Sequence, residues 1–187
     1  MGIINALTSL DELIWTGCSK VVDKAHAIGI DKYDLAKAMN FGAHAILVNG
    51  LLWMGIKQYE DGNYGSMALS SGYGGVAIFR YYLQKKAIDI EKERELSTLL
   101  QGATQAPYFD ATRPLYFGAG FSFYFTQIFE LSTYEKAINI ALGSTLIFLN
   151  LTDYFLTQIP RPPAAKKSIF RLPQLVLSRK PVLESLE

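Results

Sequence analysis

The chain has a single cysteine, Cys18, among its 187 residues, so an intramolecular disulfide is excluded. A lone thiol inside a helix reads first as a small packing residue, with palmitoylation the lesser alternative. Two histidines, His26 and His44, and that one cysteine offer no ligand spacing for a metal. A glycine-rich phosphate loop opening a helix is missing, and so is a nucleophile elbow. No metal, cofactor or catalytic residue is therefore assigned, and the chain is expected not to be an enzyme. A net charge of +1 removes the basic balance that points to nucleic acid. The N-terminus has no basic segment and carries Asp11 and Glu12 where a secretory signal would be apolar. No arginine precedes Arg80, against an Arg-rich transit peptide, and Ala6 stands where myristoylation prefers Ser or Thr.

What the chain does have is apolar residues, half of the total, and a telling distribution of charge. Nineteen residues between Lys37 and Lys57 and eighteen between Asp61 and Arg80 carry no formal charge. Pro114 to Phe129 and Ala137 to Thr152 add two windows of 16, each extended to about 20 by flanking residues. A soluble helix of that length keeps a charged face toward water, and none of these windows has one. The expected fold is an all-α integral membrane protein with four transmembrane helices, near 38–56, 63–82, 114–132 and 137–157.

Around those spans, residues 1–30 form an amphipathic interfacial helix. Its stripe is Leu7, Leu10, Ile14, Cys18, Val21 and Ala25, with Asp11 and Glu12 largely away from it; the helix either packs on the cytoplasmic ends of the bundle or lies in the headgroup plane with Trp15 as anchor. Residues 85–100 continue the second span as a charged cytoplasmic helix. The segment from 101 links the hairpins, and 160–187 is a basic tail opened by Pro160, Pro162 and Pro163. Sixteen of the 18 Lys and Arg fall on the side shared by both termini, which places the N- and C-termini in the cytoplasm.

The most informative pattern is internal. Residues 33–43 recur at 109–119 with a constant offset of 76, ending in Phe41-Gly42-Ala43 and Phe117-Gly118-Ala119. Tyr59-Glu60 then answers Tyr134-Glu135, and Tyr81-Tyr82-Leu83 answers Tyr154-Phe155-Leu156. This predicts 31–100 and 101–159 as tandem copies of one hairpin, related by an axis along the membrane normal. Lys37 and Arg113 would reach headgroups at the cytoplasmic boundary.

Four polar residues stand out as candidates for structure or function: His44 and Asn49 in the first span, Arg80 at the end of the second and Asp153 at the end of the fourth. A neutral His44 hydrogen-bonded between helices is the simplest role for it. Arg80 and Asp153 precede the aligned Tyr81 and Tyr154, so equal depth and an ion pair are expected of them. Ser66, Ser70, Gly74 and Gly75 mark the second span as a close-packing helix at the centre of the bundle. These features point to a non-catalytic membrane subunit or membrane-organising protein, surrounded by lipid and bound to other membrane subunits or to itself. The alternative is a small transporter or channel acting as an oligomer.

Overall fold

The structure is a computed structural model that describes residues 2–100, 112–129 and 131–159. The described residues are all-helical, with five α-helices and one short 3-10 turn. In chain order these are α1 (Gly2–Ala27), α2 (Lys32–Glu60), α3 (Tyr64–Leu100), α4 (Thr112–Phe125), the turn Thr126–Ile128, and α5 (Thr133–Leu156).

The turns follow from local chemistry. Gly29, at φ 87°, ends α1 with paired bonds from its own N–H to the His26 carbonyl and from Ile30 N–H to that of Ala25. This terminus needs a left-handed residue, which glycine supplies without a Cβ clash. Gly62, at φ 72°, ends α2 in the same way. Asp31 and Asp34 form a reciprocal capping box at the start of α2, and Ser132 and Glu135 form another at the start of α5. Asn63 accepts from Ser66 N–H and so caps α3.

The helices pack as two antiparallel hairpins, α2 with α3 and α4 with α5, joined by an extended α2–α5 contact. α1 lies across α5, α4 and α2. The central pair is thus α2 and α5, and α3, expected at the centre, is peripheral: its extended packing partner is α2. The reason is visible at its glycines, since a Cβ added at Gly65, Gly72, Gly74 or Gly75 would meet nothing within 4 Å. Close approach occurs elsewhere. A Cβ at Gly143 would lie 2.7 Å from the Gly120 carbonyl oxygen, and one at Gly42 would lie 3.1 Å from the Phe148 ring.

Among the described residues, two helices, α2 and α5, are long and apolar enough to cross a membrane. They coincide with the expected spans at 38–56 and 137–157. α3 is one unbroken helix whose middle carries Arg80, Lys85 and Lys86. α4 stops at Phe125, and at about 1.5 Å per residue its 14 residues rise about 21 Å, short of a hydrocarbon core about 30 Å thick. α5 ends at Leu156 with Thr157 as its cap, before Pro160 is reached. The tail 160–187 and most of the linker after 101 lie outside the described residues.

The segments aligned as a repeat agree in height for the first helix of each hairpin and disagree for the second. Contacts of Gly42 with Phe148 and of Gly50 with Ala141 fix α2 on α5, and Gly120 against Gly143 and Ile147 fixes α4 on the same helix. These registers put Phe41-Gly42-Ala43 and Phe117-Gly118-Ala119 at about the same height on either side of α5. Tyr59-Glu60, however, ends α2, whereas Tyr134-Glu135 lies in the first turn of α5.

The buried apolar cluster sits at one end of the bundle, where Cys18 and Val22 of α1 meet Tyr33 and Ala36 of α2, Ile88 of α3, and Tyr154 and Phe155 of α5. Along the rest of the bundle the large apolar groups point outward, among them Leu52, Leu69, Val76, Phe79, Phe121 and Phe125.

Candidate functional site

The polar groups of the described residues concentrate at the same end as that core. Asp11 of α1 is fully buried, and its carboxylate takes Arg113 Nη2 of α4 at 2.7 Å and the Tyr154 hydroxyl of α5 at 2.7 Å. Arg113 Nη1 donates to Thr157 Oγ1 at 3.0 Å, and its guanidinium stacks 5.0 Å from the centre of the Tyr154 ring. Trp15 donates its indole N–H to the Thr157 carbonyl at 3.4 Å, and Gln158 Nε2 donates back to the Trp15 carbonyl at 3.2 Å. Three elements separated in sequence are thereby locked around one buried charge pair.

A second cluster adjoins it. Lys32 Nζ donates to the carbonyls of Leu156 and Gln158 at 3.0 and 2.6 Å, placing a cation on the negative end of α5. The same ammonium pairs with Glu95 of α3 at 2.6 Å, and Tyr33 donates its hydroxyl to that carboxylate. On the outer side, Lys92 pairs with Asp31 at 2.6 Å and Lys37 pairs with Asp89. Burial pushes the Asp31 carboxyl up, but the hydrogen bond from Lys92 and the backbone N–H of Asp34 outweigh it and leave it below its usual value. The Asp31 bond in turn holds the Lys92 ammonium above its usual value, against desolvation. Lys37, through the same kind of bond, holds the Asp89 carboxyl low.

Asp11, Lys37 and Arg113 therefore sit otherwise than expected, and of the two readings of α1 the structure shows the one packed on the end of the bundle. The inward stripe of α1 is Asp11, Cys18, Val22 and Ala25, while Leu10 and Val21 are exposed. Asp11 turns inward because Arg113 and Tyr154 compensate its charge. Trp15 packs on the core, and neither Lys37 nor Arg113 is left to headgroups. Cys18 is buried behind them, and burial, only partly offset by the Arg113 charge, raises its thiol to about 11.

The residues singled out from sequence do not form one site. His44 is buried, but its hydrogen bond runs within α2, from Nδ1 to the Asn40 carbonyl at 2.8 Å, and its ring lies 5.7 Å from that of Tyr81 on α3. Asn49 is exposed and donates back to the Ala45 carbonyl of its own helix. Ser70 is buried, its hydroxyl 2.7 Å from Gln58 Oε1, while Ser66 begins the capped end of α3.

Arg80 and Asp153 are not paired. Asp153 lines a cavity of about 350 Å³ with Thr112, Arg113, Tyr116, Asn150, Leu156 and Thr157 between α4 and α5. Arg80 lies on α3, on the far side of α2. The alignment of Tyr81 with Tyr154 implied equal depth. Tyr81 instead packs on Phe41 and His44, whereas Tyr154 lies at the end of α5 beside Arg113.

Asn40, like Asp11, Lys32 and Glu95, is a buried polar residue that the sequence did not single out. It is fully buried in α2, and neither its Oδ1 nor its Nδ2 has a hydrogen-bond partner among the described residues. No family model, curated protein or solved structure matches the chain.

Proposed function

We propose that the chain is a non-catalytic, multi-pass subunit of a membrane protein complex, with its two hairpins in the bilayer and its α1 end at the cytoplasmic face. In this reading α3 and α4 cross beside α2 and α5, and the hairpins descend from one ancestral unit whose trace is the level pair of Phe-Gly-Ala segments. Lipid and other membrane subunits are its partners.

The observation that carries the reading is where apolar and charged groups sit. Only 22% of the most apolar window of α2 and 33% of that of α5 is buried, and large apolar groups such as Phe41, Leu52 and Ile56 of α2 and Ile140 and Leu142 of α5 are exposed. The core helix of a soluble domain would hide them. The buried charges Asp11, Arg113, Lys32 and Glu95 meanwhile bond to other groups of the chain. Their donors and acceptors are taken up in holding helices together, which is structural work.

The test is extraction from native membranes in a mild detergent followed by sizing. Recovery of the chain in a defined hetero-complex, which makes no liposome leaky on reconstitution, is the expected result. An isolated oligomer that releases small solutes from liposomes would establish the transporter reading in its place.

A further inference from the structure

We propose that the outer face of α3 docks a transmembrane helix of another protein, one that carries a carboxylate near mid-span, with Arg80 as the ion-pair partner of that carboxylate. The proposal rests on reading the chain as a membrane subunit.

α3 follows α2 antiparallel in an even register. Ser70 lies against Gln58 and Gly55, Tyr81 against Phe41 and His44, and Asp89 against Lys37. Arg80 falls about midway between the Ser70 and Asp89 contacts, roughly 14 Å along the helix from either at 1.5 Å per residue. It is therefore level with the middle of the charge-free stretch of α2 between Lys37 and Lys57, and not at the cytoplasmic end of the second span where the sequence alone put it, because α3 runs on unbroken to the level of Lys37.

At that height Arg80 is exposed, and among the described residues no carboxylate pairs with it. A guanidinium keeps its proton in a protein, so neutralisation is no escape. An ionised side chain at mid-span marks a functional position whose partner has to be named. A lipid headgroup answers this charge only if the side chain snorkels far along the helix or the bilayer thins around it, a cost that a carboxylate at the same height avoids. A carboxylate is also the fitting partner, because the planar fork of arginine takes both of its oxygens.

The surrounding face fits a helix. Val76 and Phe79 are 62% and 64% exposed, and Gly72 and Gly75 leave the backbone open to close approach. A second copy of the chain is the wrong partner. Two copies about an axis along the membrane normal would bring Arg80 to Arg80, and the charge-free windows of the sequence offer no acid at this height.

The experiment uses the purified full chain in lipid nanodiscs and a synthetic leucine–alanine transmembrane peptide with one mid-span Glu, or Gln in its place. Association is read by energy transfer between fluorophores. The Glu peptide is expected to bind at least tenfold more tightly than the Gln peptide, and Arg80→Gln should abolish that preference without changing the thermal unfolding of the chain. Arg80→Glu should bind a mid-span Lys peptide instead. Equal affinity for the two peptides, or a preference that survives Arg80→Gln, overturns the proposal. So does efficient disulfide crosslinking of a Phe79→Cys variant to itself in native membranes, which would assign the face to a second copy. A chain that extracts as a lone oligomer counts against the subunit reading, whereas the peptide preference decides the pairing of Arg80.

Discussion

Asp11 and Arg113 illustrate what single residues do here. Each is removed from solvent, and their separation of 102 positions makes the pair a clamp between α1 and α4. Arg113→Met is expected to lower stability by about 3–5 kcal/mol, because it takes the cation away from a buried carboxylate. The paired change Asp11→Leu with Arg113→Met should recover much of that loss, since no buried charge remains. Thermal unfolding in detergent reads both. Asn40 predicts the opposite sign: replacing an amide with no partner by Leu removes a desolvation cost, so Asn40→Leu is expected to be neutral or stabilising by about 1–2 kcal/mol. A loss of more than that would assign Asn40 a polar partner from outside the chain. None of this was legible from sequence. Helical periodicity puts Asp11 largely away from the apolar stripe, and only a partner a hundred residues away explains why it turns inward.

Among the helices, charge-free windows located α2 and α5 well and α3 and α4 less well. Freedom from charge is a weaker property than hydropathy: the window before Arg80 is rich in Gly and Ser, and α4 gives way to a 3-10 turn after Phe125. Small residues at regular steps likewise located a helix face without saying whether the face was occupied. The contrast is testable. Gly143→Ala forces a methyl against the Gly120 carbonyl and should cost about 1–3 kcal/mol through overpacking. Gly74→Ala meets open space and should be neutral or slightly stabilising, since alanine is the better helix former. Equal effects would mean that α3 is packed as tightly as α4. The junction of α2 with α3 adds a pH signature. The lowered Asp31 contributes stability that is present above its usual 3.8 and is lost as pH falls through its lower folded value. The raised Lys92 contributes stability below its usual 10.5 that is lost as pH rises through its higher folded value. Unfolding temperature should therefore hold a plateau contribution between these limits, and Lys92→Met should remove it. The pair is about one-third exposed on each side, so its worth is at most about 1 kcal/mol.

At the scale of the whole molecule, charged and polar groups gather at two ends, and the proposed four-span reading puts each end on its own side of a membrane. The clamp of α1 on α4 and α5, the Lys32 cluster and the Lys92 and Lys37 pairs all gather at one end, where charges find water or each other. The opposite end holds the α2–α3 turn near Gly62 and the start of α5 at Ser132, with Lys57 paired to Glu60 and Asp61. Between them α2 carries no charge from 38 to 56, and α5 none from 137 to 152. A bilayer fits that gap. Cysteine labelling tests it without background from Cys18, because that thiol is buried and its raised value near 11 keeps it protonated at the pH of maleimide labelling. Single variants Asp61→Cys and Leu131→Cys should react with a membrane-impermeant maleimide from the non-cytoplasmic face of sealed vesicles, and Lys24→Cys only from the cytoplasmic one. Cysteines at 61 and 131 on opposite faces would mean that α3 and α4 do not both cross. The hairpins would then share a register along α5 without sharing a topology, and the tandem repeat would be confined to α2 and α4.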